Sequence, residues 1–150
     1  MDVTYINPFI EAAVGVLKSV CSIEAKIGKL STKKIEFDGS TKVILIGITG
    51  TVKGQVFIAF NKIIANKVVS AMMGMVVETL DEIGDSALAE LGNIIMGNTA
   101  TILSKREIKI DITPPTLARG KMEFNIKGMK HVCIPLVVGD TEIEMYVAIR

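Results

Sequence analysis

Apolar side chains recur every three or four positions from Leu80 to Leu103, and the polar residues between them are not scattered. At about 100° per residue, Ser86, Glu90, Asn93 and Gly97 fall on one narrow stripe, which Ala100 and Thr101 extend. Leu88, Leu91, Ile95 and Ile102 fall on the opposite side. This spacing predicts a long amphipathic helix. Its outward stripe carries one carboxylate and one carboxamide, a turn apart, flanked by small residues. A solvated helix face ordinarily holds long Lys, Glu or Arg side chains. A face of Ser, Gly and Ala with two reaching groups suits close approach by another molecule.

The rest of the chain alternates between strand and helix signals. Asn7-Pro8 is read as the opening of a first helix that runs to about Val20, Asn as cap and Pro as first helical residue. Ala25 to Leu30 and Lys34 to Phe37 are strand material with polar breaks. Val43 to Ile48 and Gly54 to Phe60 are β-branched runs joined by Thr49-Gly50-Thr51, a hairpin signal. Asn61 caps a second helix to about Met73, and Gly74 ends it. Three more strands are expected, Lys121 to Ile126, Val132 to Val138 and Glu142 to Ile149, with turns at Lys127-Gly128 and Gly139-Asp140. Hairpin-linked strands pair antiparallel, so the expected class is α+β, an antiparallel sheet covered by helices.

An internal repeat runs through this order. Val43 to Thr51 followed by Val56 to Phe60 matches Val132 to Asp140 followed by Met145 to Ile149. Each hairpin follows a helix with an acidic residue near its start. Superposing Glu11 on Glu90 sets Val14 on Asn93, so only the later helix holds the Glu-x-x-Asn pair.

Bulk properties narrow the function classes. The 150 residues fit one domain with a substantial core, and hydrophobic residues make up 49%. Net charge is +1 and aromatic residues are 5%, which leaves no electrostatic footprint for nucleic acid or an anionic membrane and no base-stacking platform. Cys21 and Cys133 sit in apolar runs and read as buried, reduced thiols. His131 has no Cys or His partner at metal spacing and reads as a surface or strand-edge residue; no metal ligand set is expected. Met72-Met73-Gly74-Met75 reads as core and interface packing. The stretch from Val43 to Phe60 is broken by Lys53 and glycines and is no membrane span, and Met1-Asp2-Val3-Thr4 lacks a basic signal region. A cytoplasmic protein is expected.

The series Ser86-x-x-x-Glu90-x-x-Asn93, followed by Pro114 and Pro115, resembles the signature of the CheC/CheX/FliY phosphatases. The single Glu-x-x-Asn pair and the opening Ile6-Asn7-Pro8-Phe9-Ile10-Glu11-Ala12 are similar to the CheX type, and the resemblance covers nearly the whole chain, 1–150, in element order. Pro115 stands about one residue early against the family spacing. The resemblance implies a sheet backed by two long helices related by a pseudo-two-fold. It implies a phosphatase acting on the aspartyl phosphate of a CheY-like response regulator, in chemotaxis or a related two-component pathway. It further implies a homodimer, for which the strand-rich C-terminus offers an edge. In the family, the Asn orients the attacking water and the Glu pairs with the partner's phosphate-binding lysine. Carried over, Asn93 takes the first role and Glu90 the second. The chain would bind no cofactor itself; Mg2+ is expected in the partner receiver.

The residues suit that chemistry. An aspartyl phosphate is already activated, and phosphoryl transfer needs mainly positioning and charge neutralisation. A carboxamide accepts from a water and donates to a phosphoryl oxygen at once. Gly54, Gly74 and Gly84 form no phosphate-loop motif. Set against this, Glu90 and Asn93 are also what an ordinary solvated helix pair looks like. Ser86 reads first as a helix-start residue and second, with Gly97, as part of a docking surface. Asp85 projects off the stripe and reads as a capping or dipole-favoured acid. Glu11 reads as solvated or as the remnant of a second site. The competing functions are a non-catalytic module that binds a response regulator or flagellar switch component, and a structural dimer subunit.

Overall fold

The computed structural model describes residues 3–150. In chain order it comprises α1 (Val3–Cys21), β1 (Lys26–Ile27), β2 (Ile35–Phe37), β3 (Lys42–Gly50), β4 (Gly54–Phe60), α2 (Lys62–Met73), α3 (Glu82–Ser104), β5 (Ile110–Ile112), β6 (Thr116–Arg119), β7 (Met122–Phe124), β8 (His131–Val138) and β9 (Thr141–Ile149). Seven strands form one antiparallel sheet in the order β1-β8-β9-β4-β3-β5, with β6 also paired to β3. β2 and β7 make a separate antiparallel ribbon.

Alternation along each strand sends side chains to two different cores. Ile44, Ile46, Ile58, Ile134 and Met145 point to the face on which the three helices lie, joining Phe9, Leu17, Val68, Leu88 and Leu91. Val43, Phe57, Cys133 and Tyr146 point to the other face, where Ile35 and Phe37 of the ribbon cover them. Phe37 meets the Tyr146 ring edge-on at 5.5 Å.

The repeat is visible in the register. Laying Val56 to Phe60 over Met145 to Ile149 sets Phe57 on Tyr146, and these two residues face each other across the central β4–β9 ladder. The pseudo-two-fold therefore passes between them. The match of the outer strands needs a correction of one residue. Val43 lies opposite Ala59, and the residue opposite Ala148 is His131, not Val132. A one-residue slip turns a side chain to the wrong face. Val43 belongs to the ribbon-side core, whereas Val132 packs on the helix side.

Local chemistry accounts for most boundaries. The Asn61 side chain accepts from Ile64 N at 2.9 Å, and Gly74 takes the left-handed conformation at φ +68 that closes α2. Three expectations change. α1 starts before Asn7-Pro8, with Pro8 inside it. Pro8 has no N–H for the Thr4 carbonyl four residues back. Arg106, beyond the end of α3, donates to that carbonyl instead at 3.3 Å. Second, β5 and β6 flank Pro114-Pro115 and extend the sheet beyond β3. Third, the C-terminal strands pair differently: β9 lies between β8 and β4 and offers no edge, and β7 pairs with β2, so the turn at Lys127-Gly128 closes no hairpin with β8.

Candidate functional site

α3 is the element that presents the stripe, and its rotation is set from below. Leu88, Leu91, Ile95, Met96 and Leu103 are at most 1% exposed. Rolling the helix would uncover side chains worth about 1.5–3 kcal/mol each. Gly92 is part of this seat, because a Cβ there would come within 2.8 Å of Ile44 Cγ2. Thr99, buried, donates its hydroxyl to Ile95 O at 2.8 Å, so the seat holds no unpaired polar group.

With that face down, the stripe faces out. Ser86 and Glu90 are exposed, Asn93 and Gly97 half-buried, Ala100 half-buried and Thr101 exposed. Ser86 to Gly97 spans about 16 Å of helix at 1.5 Å per residue. Among the described residues, no hydrogen bond or ion pair engages the Glu90 carboxylate or the Asn93 carboxamide. A Cβ on Gly97 would meet nothing within 4 Å, so packing inside the chain does not demand glycine there. The four residues read from the sequence are therefore brought to one open ridge. A hollow of about 610 Å³ lies away from this ridge, over the β2–β7 ribbon beside Phe37 and Met122.

Asp85 lies in the first turn of α3, where a dipole-favoured acid is expected, but it is not the cap. The cap is Asp81, whose side chain accepts from Gly84 N at 3.0 Å. Asp85 turns toward the sheet and pairs with Lys42 of β3 and, at 3.2 Å, with Arg119 of β6. Neither cation could be named from the sequence, since only the β3–β6 pairing brings them together. Ile83, 64% exposed, was also missed; it sits three residues before Ser86, so helical spacing alone could have added it to the stripe.

The remaining chemical groups lie away from α3. His131 opens β8, with Nε2 2.6 Å from the Lys33 carbonyl. Cys21 and Cys133 are buried free thiols. Burial, and then the nearby Glu144 carboxylate, push the Cys133 thiol up to about 11. Burial likewise raises Tyr146, whose hydroxyl donates to Glu144 at 3.2 Å. Among the described residues, no three His, Cys, Asp or Glu side chains gather where they could hold a metal ion, and no helix is long and apolar enough to cross a membrane.

Comparison with known proteins supplies the context for the ridge. The model of the chemotaxis phosphatase CheX family matches residues 43–137. The chain is 36% identical to the CheY-P phosphatase CheX of Thermotoga maritima, over 100% of this chain and 98% of that protein. It is similar to the CheX–CheY–BeF3–Mg2+ complex from Borrelia burgdorferi, with 31% identity, a TM-score of 0.84 and 97% of each chain covered. A CheC-like superfamily protein from Shewanella sp. PV-4 aligns with a TM-score of 0.89 at 25% identity, covering 100% of this chain and 99% of that one.

Proposed function

The chain belongs to the chemotaxis phosphatase CheX family, and from that we propose that it accelerates hydrolysis of the aspartyl phosphate on a CheY-like response regulator. The observation that carries the reading is the pair Glu90 and Asn93, a turn apart on an outward ridge of small residues and engaged by nothing else described in the chain. A convex ridge suits a substrate that is itself a folded protein with a recessed reactive group.

In this reading the ridge enters the receiver's active site. The Asn93 carboxamide accepts from a water and donates to a phosphoryl oxygen, holding the water in line with the scissile P–O bond. The water oxygen bonds to phosphorus as the bond to the aspartyl oxygen breaks. The carboxylate leaves with the electron pair, and the water's protons pass to phosphate and solvent. Glu90 pairs with the receiver lysine that otherwise holds the phosphoryl group and so sets the register. Ser86 and Gly97 allow the approach. Mg2+, held by the receiver, supplies charge neutralisation from the partner's side. The homodimer implied by the family resemblance, and a cytoplasmic location, belong to the same proposal; sedimentation analysis reads the oligomer.

Phosphate release from a phosphorylated CheY receiver, with and without the chain, tests the reading. Asn93→Ala is expected to cost on the order of 10² or more in stimulated rate, as loss of a transition-state positioning group does, with circular dichroism unchanged. Near-normal activity in that variant would remove Asn93 from the mechanism. Binding without release by the wild type would make the chain a non-catalytic module.

A further inference from the structure

The first turns of α3 have a lighter apolar seat than the rest of the helix, made by the buried Gly84 against Leu80 and by Ala87 against the core. Between Glu82 and Ala87 no large apolar side chain is buried: Ile83 is 64% exposed, Ala87 is half-buried, and the first deeply buried large residue is Leu88. Yet Ser86 lies in this segment, whereas Glu90 lies between the buried Leu88 and Leu91. What meets the sheet here is the Asp85 carboxylate, with a side chain only 15% exposed.

The sheet prepares a site for that carboxylate. Lys42 and Arg119 lie directly opposite each other in the β3–β6 register. Two like charges so placed repel, and an anion between them turns the repulsion into attraction. Asp85 gives one oxygen to Lys42 and the other to Arg119 Nη1. Lys42 is 18% exposed and Arg119 68%, so one contact is sheltered from solvent and the other screened by it. One carboxylate thus ties the start of α3 to two strands at once.

We infer that Asp85 is a positioning residue for receiver docking: by pinning the start of α3 to β3 and β6, it fixes how Ser86, and the exposed Ile83 a turn before it, are presented. This rests on the phosphatase reading above. Asn93 lies two turns further on, over the buried seat of Leu88, Leu91 and Ile95, and does not depend on the clamp. The clamp therefore acts on recognition and leaves the chemical step alone.

The test is phosphate release from a CheY receiver charged with acetyl phosphate, followed across receiver concentration. Asp85→Asn is expected to raise KM about three- to tenfold, the scale of losing partly exposed ion pairs, with kcat within about twofold. Arg119→Gln shifts KM the same way by less, and Asp85→Glu, which keeps the charge, falls nearer the wild type. Amide exchange quickens over residues 84–90 and is unchanged over 95–103. An unchanged KM in a folded Asp85→Asn, or a lowered kcat at constant KM, overturns the inference. If Asp85→Asn does not fold, Arg119→Gln decides by the same criteria. Affinity for a receiver charged with BeF3 and Mg2+ separates the two readings. Wild-type binding without phosphate release would sink the phosphatase reading, and the clamp would then stand or fall on the Asp85→Asn affinity.

Discussion

α1 and α3 occupy equivalent places in the two halves, and burial agrees along most of their overlap. With Glu11 laid on Glu90, the buried positions Phe9, Ala12, Ala13, Val16 and Leu17 fall on the buried positions Leu88, Leu91, Gly92, Ile95 and Met96. Glu11 and Glu90 are both exposed, and Val14 and Asn93 are both half-buried. The outward stripes differ where it matters for a partner. Asn93 is matched by Val14, whose isopropyl group neither holds a water nor bonds phosphate. Gly97 is matched by Lys18, a long exposed cation 3.9 Å from Glu24. The face toward the sheet is constrained by packing in both helices, so the fold tolerates two different outward faces. The proposed function rests on a few positions of one stripe, while the scaffold is shared.

Substitutions that make one helix more like the other probe this contrast. After Asn93, the largest effect is expected at Glu90: Glu90→Ala weakens receiver binding, and Glu90→Lys weakens it further, on the order of tenfold or more, because it sets a cation against the partner's lysine. Equal affinities for wild type and both variants, by titration, would remove the ion pair. Gly97→Lys copies Lys18 onto the proposed docking ridge. It is expected to raise KM roughly fivefold by obstructing approach, while Gly97→Ala is accepted because the space above it is open. An unaffected KM in Gly97→Lys would place the docking surface elsewhere. The smallest effect is expected on α1. Glu11→Ala should leave the rate within about twofold, as a surface change worth at most about 0.5 kcal/mol does. Val14→Asn should add no activity, since Lys18 still stands on that stripe. A large loss in Glu11→Ala with the fold intact would give α1 a function of its own.

Features written in local chemistry were legible in the sequence. Asn61 and Gly74 bracket α2 as their capping preferences require, and the 3.6-residue period of α3 separated stripe from core without any tertiary information. Features decided by distant partners were not. The start of α1 was misplaced because the cost of Pro8 is met by Arg106, far along the chain. Asp85 stands in the first turn of α3 as an acid favoured there does, but the cap one turn earlier, Asp81, went unread, and the partners of Asp85, Lys42 and Arg119, come to it only through the sheet. The short strands β5 and β6 were hidden by the Pro114-Pro115 break, and they exist because β3 offers them an unpaired edge. The repeat was legible, but its outer-strand register was one residue off, since runs of apolar residues in both strands conceal which face each one serves.

The central ladder also has a bearing on how the chain assembles. Phe57 and Tyr146 are about ninety residues apart, so joining β4 to β9 closes a long loop, whereas each hairpin, β3–β4 and β8–β9, closes a short one. The halves also interlock, because β5 and β6 of the second half pair with β3 of the first and α3 lies over them. The floor beneath α3 is thus supplied by strands from both sides of the repeat. Neither half taken alone would carry a finished ridge, because β3 of the first half and β5 and β6 of the second lie together beneath α3.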